Sequence, residues 1–379
     1  MKLTGPHDPA ALRERGLELP DPASVYVDRT VRLERLEPGA ALYPGARLVG
    51  AKTYVAAGAV VGSEGPATLV DSVLDAGCEV GSGYVAGSVL LPRAKLGGST
   101  HVRPATLLEE EASVAHAVGL KHTILLSYVT LGSIINACDL LVAGGRSRDE
   151  HSEVGSGFIH FNFTPAGVRG DKATPSLVGD VVQGVFLREE RIFVGGLSGL
   201  VGPRSVGYGA VTAAGQILRS DVAAGRLVHA GVRQVDTSYD RASRPTRSEA
   251  KVEANLRYVG QLAALRAWYR QVRQVRRAHP DSAAGEARPE TLEAAVDVFD
   301  AGLQERLKRL ADYCGGRQTI DVAALVADES VAPAGLVEHE PGLPHLAWVR
   351  TLSAEQLAAG SAWLAAIADA AARRLRRAL

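Results

Sequence analysis

A six-residue interval separates successive apolar side chains in the first part of the chain. The interval is clearest at Leu36, Leu42, Leu48, Tyr54 and Val60, with glycine or alanine in between. An α-helix repeats about every 3.6 residues and a β-strand about every 2, so neither gives this pattern. A period of six is typical of a β-helix, in which each hexad supplies a short strand and a corner, and about 18 residues complete one triangular coil.

The same period continues far along the chain. It returns in the second part, at Val194, Leu200, Val206, Thr212 and Leu218. We therefore expect an all-β parallel β-helix over residues 31–235, on the order of ten coils, after an N-terminal extension over residues 1–30. A β-sandwich is the alternative, but it would need alternating polarity and hairpin turns.

Helical patterns replace the repeat towards the end of the chain. A polar linker, SYDRASRPTRS, leads into residues 246–379, which we expect to form an α-helical domain. The first helix carries an apolar stripe that ends before His279. The second begins near Pro289 and ends at Gly315, and the third begins at Ser353, which has a glutamine three residues later as its capping partner.

The charge balance and the cysteine count limit the partners and the compartment. The 42 Lys and Arg residues equal the 42 Asp and Glu residues, so we expect no nucleic-acid partner. Cys78, Cys138 and Cys314 are odd in number and far apart, which excludes a disulfide framework and fits a reducing compartment. No stretch approaches the ~18 apolar residues of a membrane span, and the N-terminus lacks a signal sequence. These features predict a cytoplasmic protein without a membrane partner.

Two cations stand one coil apart in the segment from His101 to Lys121. Arg103 and Lys121 are 18 residues apart, so both side chains should point the same way from neighbouring coils. Like charges so placed repel each other unless an anion lies between them, which favours a phosphate site. The alternative is that the acidic run Glu109–Glu111 pairs with them.

This segment resembles a known family, the acetyltransferase half of the bifunctional N-acetylglucosamine-1-phosphate uridyltransferase and glucosamine-1-phosphate acetyltransferase. Arg103 and Pro104 match the family's Arg-Pro-Gly, and Lys121 matches a lysine 18 residues later. EVGSGFIHFNF, residues 153–163, is similar to its Asn-Ile-Gly-Ala-Gly-Thr-Ile-Thr-Cys-Asn-Tyr. The resemblance implies a left-handed β-helix, a homotrimer, and acetyl transfer from acetyl-CoA to an amino-sugar phosphate or nucleotide-sugar of the UDP-N-acetylglucosamine pathway.

The resemblance also implies roles for individual residues. Those implied to bind the sugar phosphate substrate are Arg103, Lys121, Asn162, Phe163 and Lys172. Residues 193–222 are similar to the family's acetyl-CoA-binding coils. Within them the implied cofactor-binding residues are Gly195, Gly196, Ser198, Ala213 and Ala214.

The catalytic base is where the chain departs from the family. The family's catalytic histidine lies 12 residues after the lysine and 23 before the asparagine, and these positions hold Ser133 and Asp139 here. The two counts differ by six, which predicts one inserted hexad. The candidate bases are then His151, which we favour because its charged neighbours can tune it for proton transfer, and Asp139, His160 and His122.

Two other functions stay open. Because the family histidine is missing, one alternative is a non-catalytic trimer that binds a sugar nucleotide or serves as a scaffold. The other is a metal-dependent enzyme like the γ-class carbonic anhydrases, since five of the ten histidines fall between residues 101 and 160. His116 and His122 are six apart, however, and His151 and His160 nine apart, which does not match that class. We therefore expect no metal and favour the acyltransferase.

One further motif imitates a nucleotide-binding loop. LVAGGRSR, residues 141–148, has the letters of the triphosphate loop of a nucleotidyltransferase, but it stands within the repeat region. It lacks the strand, loop and helix context that such a loop needs. We expect no nucleotidyltransferase domain in this chain.

Overall fold

The computed structural model describes residues 3–159, 174–229, 248–279, 286–316, 320–327, 329–337 and 342–379. These residues form a parallel β-helix of about ten turns followed by helices, which confirms the predicted fold class and fits the left-handed form. All the ladders between named strands are parallel.

The described part of the β-helix consists of short strands. They are β1 (Tyr26–Val27), β2 (Ala41–Leu42), β3 (Arg47–Val49), β4 (Tyr54–Val55), β5 (Val60–Val61), β6 (Ala67–Val70), β7 (Val73–Leu74), β8 (Glu79–Val80), β9 (Gly83–Ala86), β10 (Ser88–Leu90), β11 (Lys95–Leu96), β12 (Thr100–Val102), β13 (Thr106–Leu108), β14 (Ser113–Val114), β15 (Gly119–Leu125), β16 (Thr130–Leu131), β17 (Ile135–Val142), β18 (Glu153–Val154), β19 (Gly157–Ile159), β20 (Ser176–Val178), β21 (Phe193–Val194), β22 (Ser198–Leu200), β23 (Ser205–Val206), β24 (Val211–Thr212), β25 (Ile217–Leu218) and β26 (Leu227–Val228).

The strands stack into three faces. Face A contains β1, β3, β6, β9, β12, β19, β22, β25 and the first halves of β15 and β17. Face B contains β4, β7, β10, β13, β20, β23 and the second halves of β15 and β17. Face C contains β2, β5, β8, β11, β14, β16, β18, β21, β24 and β26. The chain runs from A to B to C in each coil, and each corner is named here by its two faces: AB, BC or CA.

Aliphatic side chains of successive coils stack in register inside the β-helix. On face A the column comprises Leu48, Leu69, Val85, Val102, Leu120, Ala137, Ile159, Leu200 and Leu218, all buried. The six-residue period slips once, because the AB corner after Val49 is longer than the corner after Val70 in the next coil. Val55 therefore lines the interior, and Tyr54 faces outward.

Face B is apolar on both sides, and the helices cover its outer side. The outward residues are Tyr54, Val73, Val89, Leu107, Ile124, Leu141 and Leu177, which share one buried cluster with the helical domain. The helices are α1 (Pro9–Glu14), α2 (Val181–Gly184), α3 (Glu249–Trp268), α4 (Gln274–Arg277), α5 (Pro289–Cys314), α6 (Val322–Leu325), α7 (Ala334–Val337), α8 (His345–Thr351) and α9 (Ala354–Ala378), with a π-helical turn at Tyr269–Arg273 joining α3 to α4. None of these described helices has the length and apolarity to cross a bilayer.

The helix ends follow the local signals in the sequence. Helix α5 begins at Pro289 and ends before Gly315, which adopts the left-handed conformation at the C-terminus. Ser353 and Gln356 form the predicted capping box at the start of α9. The β-helix begins earlier than predicted, since β1 starts at Tyr26 within the segment taken as an extension.

Candidate functional site

Two cations lie side by side at the AB edge of face A. Val102 pairs with Leu120, and the Arg103 backbone N–H donates to the Leu120 carbonyl at 2.9 Å, so Arg103 and Lys121 stand on neighbouring coils. Cys138 is next in the column, paired with Lys121, and its Sγ lies 3.6 Å from Arg103 Nη2. Burial raises the pKa of the Cys138 thiol, so the thiol is protonated at neutral pH and does not neutralise the two cations.

The acidic run beside these cations binds elsewhere. Glu110 forms an ion pair with Arg273 of the π-helical turn, and Glu109 Oε1 lies 3.8 Å from the same guanidinium. Glu111 Oε1 pairs with Arg93 at 3.0 Å. Among the described residues neither Arg103 nor Lys121 forms an ion pair, so the alternative of pairing with Glu109–Glu111 is wrong there.

A histidine and an aspartate form a pair at the AB corner beside Lys121. His122 and Asp139 stack on adjacent coils, both in the left-handed conformation, with φ of 49° and 57°. His122 Nδ1 lies 3.1 Å from Asp139 Oδ1, and because a carboxylate only accepts, Nδ1 carries the proton. Arg306 of α5 reaches the same oxygen at 2.8 Å, and its side chain is only 3% exposed. The candidate bases Asp139 and His122 thus lie together under the helical domain.

The residues predicted to bind acetyl-CoA lie together at the CA corner. Gly195 stacks on Ala213 of the next coil, where an added Cβ would come within 2.6 Å of the Ala213 carbonyl carbon. A Cβ on Gly155 would likewise meet Gly196 N at 2.6 Å. The corner is therefore stacked too closely for side chains, and the Gly195 N–H donates to the Thr212 carbonyl of the next coil at 3.0 Å. Ser198 follows directly and is buried, and Ala214 is exposed.

The six inserted residues lengthen one corner and add no hexad to the repeat. Leu125 pairs with Val142 and Thr130 with Glu153, so the BC corner contains four residues in one coil and ten in the next. The insertion lies after Ser133. Counting forward from the lysine therefore crosses no insertion, and Ser133 takes the position of the histidine expected from the resemblance.

Sequence reasoning missed a hydrogen bond between a histidine and a serine at the CA corner. His116 is exposed, and its Nδ1 lies 3.0 Å from Ser133 Oγ. The two residues are 17 apart, close to the coil length of about 18, and this spacing is the signal that could have revealed the pair. The pair shares its corner with the predicted acetyl-CoA residues.

The remaining predicted residues are either elsewhere or outside the described ranges. His151 lies at the BC corner, where its Nδ1 donates to the Arg148 carbonyl at 2.6 Å, so it is not beside Arg103 and Lys121 within one chain. The other predicted residues, His160, Asn162, Phe163 and Lys172, lie outside the described residues. No group of three or more His, Cys, Asp or Glu side chains in the described residues could hold a metal ion.

Curated relatives match the chain over more than half its length. A bifunctional protein GlmU of Pseudarthrobacter chlorophenolicus is 32% identical over 212 residues, which cover 56% of this chain and 38% of the relative. GlmU proteins of Nocardia farcinica and Paenarthrobacter aurescens are each 30% identical and cover 57% and 62% of this chain. The chain spans about two fifths of the length of these relatives, with 38% and 42% of the last two covered. No protein-family model matches it.

A solved structure, described as a putative acetyltransferase from Bacillus cereus, covers 57% of this chain at 12% identity and a TM-score of 0.16. A TM-score this low does not establish a shared fold. The description of the site therefore rests on the sequence matches and on the geometry above. Over the matched stretch, this chain resembles the acetyltransferase half of the bifunctional GlmU proteins.

Proposed function

We propose that this chain is a CoA-dependent acyltransferase that acylates the amine of an amino-sugar phosphate or nucleotide-sugar of the UDP-N-acetylglucosamine pathway. The placement of Arg103 and Lys121 carries the proposal. They are neighbouring cations without a carboxylate partner among the described residues, and the opposite edge of their face is the glycine-rich CA corner. A phosphate between the cations would offset their mutual repulsion. The similarity to GlmU acetyltransferase halves supports the same class of reaction.

The substrates would occupy the two edges of face A. Arg103 and Lys121 would hold the phosphate, and the resemblance adds Asn162, Phe163 and Lys172 to the acceptor site. Acetyl-CoA would lie along the CA corner, where the glycine and alanine residues have no large side chains to obstruct its extended chain. This arrangement brings a thioester and an amine to one strand face.

The chemistry requires one proton transfer from the acceptor. The amine attacks the thioester carbonyl, a C–N bond forms, the C–S bond breaks, and the CoA thiolate leaves. His122 is the base that the geometry favours, because Asp139 holds its Nδ1–H and leaves Nε2 to accept the amine proton. It also directly follows Lys121, which would hold the other end of the acceptor.

The proposal includes a homotrimer. The helical domain covers face B, which leaves the opposite CA corner with exposed apolar side chains, including Ile134 at 64% and Leu197 at 79% exposure. Packing this corner around a three-fold axis would place face A of one protomer against face C of the next, through a heterologous interface that closes into a ring. Each acceptor site would then gain a second wall.

Single-turnover acetylation of glucosamine-1-phosphate by acetyl-CoA tests the reaction and the base. His122→Gln should lose ~10² or more in rate. The sequence favoured His151 over Asp139, so His151→Ala and Asp139→Asn are the matched comparisons. A rate loss confined to His151→Ala would move the base to the BC corner. A wild-type protein without turnover on any amino-sugar phosphate or nucleotide-sugar would contradict the proposal.

The second candidate is a non-catalytic trimer that binds a sugar nucleotide. Two observations favour it: Ser133 stands where the resemblance expects a histidine, and Arg306 already occupies the Asp139 carboxylate. A thermal-shift measurement separates the two candidates, since a ligand that binds only the native state raises its melting temperature. A shift with UDP-N-acetylglucosamine and none with acetyl-CoA would favour the binding protein.

A further inference from the structure

An open groove lies at the BC corner, on the other side of face C from the glycine-rich corner. It has a volume of about 570 Å³ and is lined by Arg93, Lys95, Glu111, Ser113, Thr130, Arg148 and His151. Lys95, Ser113 and Thr130 stack in register along face C. The long corner of residues 143–152 supplies Arg148 and His151, and the BC corners of two earlier coils supply Arg93 and Glu111.

The cations of this groove outnumber its carboxylates. Arg93 pairs with Glu111 at 3.0 Å, and Lys95 pairs with Glu79 at 3.4 Å, but both cationic side chains are more than half exposed. Exposed ion pairs of this kind contribute little to stability, so an incoming anion can replace them. The lining holds three cations and the Glu111 carboxylate, and Glu79, which is not in the lining, pairs with Lys95, so the cations exceed these carboxylates by one without counting His151.

Arg148 is held in place without being neutralised. Its Nη1 donates to the Glu111 carbonyl, and its Nη2 donates to the Tyr128 carbonyl and to Thr130 Oγ1. These bonds use three of the five guanidinium N–H groups, and Arg148 forms no ion pair with any described residue. A rigidly placed, charged guanidinium with donors to spare is suited to a phosphate group.

Hydroxyl groups and an imidazole complete the groove. Ser113 Oγ and Thr130 Oγ1 lie 3.1 Å apart and can bind hydroxyls of a ligand. His151 donates Nδ1–H to the Arg148 carbonyl, which leaves Nε2 to interact with a ligand. The groove therefore combines charge for a dianion with neutral hydrogen-bonding groups for the body that carries it.

From this geometry we infer a second anion site, for a phosphate monoester carried on a hydroxylated body. A phosphate monoester has a charge of about −1.5 to −2 at pH 7, so it can replace the exposed carboxylate partners of Arg93 and Lys95 and also bind Arg148. Two molecules of the proposed reaction carry such a group, the sugar phosphate and the 3′-phosphate of CoA. The site shares no residue with Arg103 and Lys121, so it stands or fails independently of the proposed acyl transfer.

Isothermal titration on the full chain tests the site, in a background of Arg103→Gln and Lys121→Gln that disables the first phosphate site. The probes are inorganic phosphate, glucosamine-1-phosphate, CoA and dephospho-CoA. Lys95→Gln should weaken binding of the cognate probe about tenfold, as for one lost charged hydrogen bond. Arg226→Gln is the control, because Arg226 is an exposed arginine of the last coil.

The pattern across probes identifies the ligand. Weakened CoA binding with unchanged dephospho-CoA binding assigns the groove to the 3′-phosphate, and weakened glucosamine-1-phosphate binding assigns it to the sugar phosphate. Arg148→Gln should act in the same direction, and a melting curve for that variant checks that the corner still folds. Two results would overturn the inference. One is that the double variant binds every probe equally well with and without Lys95→Gln. The other is that the double variant binds none of the probes.

Discussion

Arg103 and Lys121 share a face with a neutral thiol and have no carboxylate partner among the described residues. Two cations placed side by side repel each other, so this arrangement does not stabilise the fold and is suited to binding an anion. Arg273, by contrast, is fully buried with Glu109 and Glu110 around it. The chain thus pairs some cations within its core and leaves Arg103 and Lys121 without a carboxylate partner among the described residues, as the proposed phosphate site requires.

The first prediction concerns these two binding cations. Replacing Arg103 or Lys121 with Gln should weaken sugar-phosphate binding by roughly 1.5–3 kcal/mol, because each contributes a hydrogen bond to a charged group. The melting temperature should change little, since neither side chain has an ion-pair partner to lose within the part of the chain that the structure describes. Lys308→Gln on the exposed side of α5 is the control. Normal binding with early melting would show that the pair is structural.

The second prediction concerns the buried cluster. Arg273 Nη1 donates to Tyr269 Oη at 2.9 Å, and Tyr269 Oη donates to Glu109 Oε1 at 2.8 Å. Arg273→Met leaves two buried carboxylates without their cation, so the free energy of unfolding should fall by about 3–5 kcal/mol. Chemical denaturation measures the loss. Adding Glu110→Gln to that variant should recover part of it, and no recovery would show that Arg273 acts by packing alone.

At the scale of elements, the π-helical turn explains how one helix presents both partners to this cluster. Tyr269 and Arg273 stand at its two ends and meet Glu109 and Glu110 across the domain boundary. The sequence shows only a continuous apolar stripe through this helix, so it predicts the helix but not the turn. Wider turns of this kind are rare single-turn interruptions of α-helices, and the apolar stripe here gives no indication of one.

The third prediction contrasts two helix glycines. A Cβ on Gly260 in α3 would lie 2.5 Å from the Ala368 carbonyl oxygen of α9, whereas a Cβ on Gly302 in α5 would meet only Leu262 Cδ1 at 3.6 Å. Gly260→Ala should therefore destabilise by about 1–3 kcal/mol through overpacking. Gly302→Ala should be neutral or stabilising by up to ~1 kcal/mol, because alanine favours the helix. Thermal melts that moved the same way would disprove the close α3–α9 contact.

What the sequence could predict depends on how local each signal is. The hexad repeat, Pro289 and the Ser353 capping box are local, and they predicted the β-helix, α5 and α9. The slip of the repeat before Tyr54 depends on the length of one corner. His122 and Asp139 lie 17 residues apart, as His116 and Ser133 do, so spacing is a signal for both pairs. Which side chains face each other also depends on where the corners of each coil fall, and the repeat alone does not give that.

At the scale of the whole molecule, ion pairs fasten the helical domain to the first coils. Arg288 at the start of α5 binds both carboxylate oxygens of Glu37, at 3.0 and 3.3 Å. Burial disfavours ionisation of Glu37, but hydrogen bonds from Arg288 and the Ala57 N–H outweigh it and lower its pKa to about 2. Glu37 therefore stabilises the folded chain when ionised.

The fourth prediction follows from that lowered pKa. The contribution of Glu37 is fully present above its unfolded pKa of about 4.5 and is lost as the pH falls towards about 2. The stability of the wild-type protein should decline between about pH 5 and pH 2 more steeply than that of Glu37→Gln. Denaturation at a series of pH values measures both slopes. The exposed Glu34→Gln should keep the wild-type slope, and a Glu37→Gln slope equal to wild type would contradict the prediction.

The last prediction concerns assembly. The helices cover face B of the β-helix. The CA corner, which lies opposite, is therefore uncovered, and its apolar side chains are exposed to solvent. Leu197, at 79% exposure, is the most exposed large apolar residue of that corner in the described ranges. A glutamate there would bring charge into a three-fold interface, while the left-handed backbone of Leu197 imposes the same strain on either residue.

Leu197→Glu should therefore convert a trimer, with three times the 39.8 kDa mass of the chain, into monomers. Light scattering after size exclusion measures the mass. The control is Val331→Glu, because Val331 is 85% exposed on the helical domain, away from the proposed axis, and should leave the trimer intact. A measured mass of 39.8 kDa for the wild-type protein would contradict the trimer. The acceptor site would then have no second wall from a neighbouring protomer. The BC groove, which lies within one chain, would still bind its phosphate.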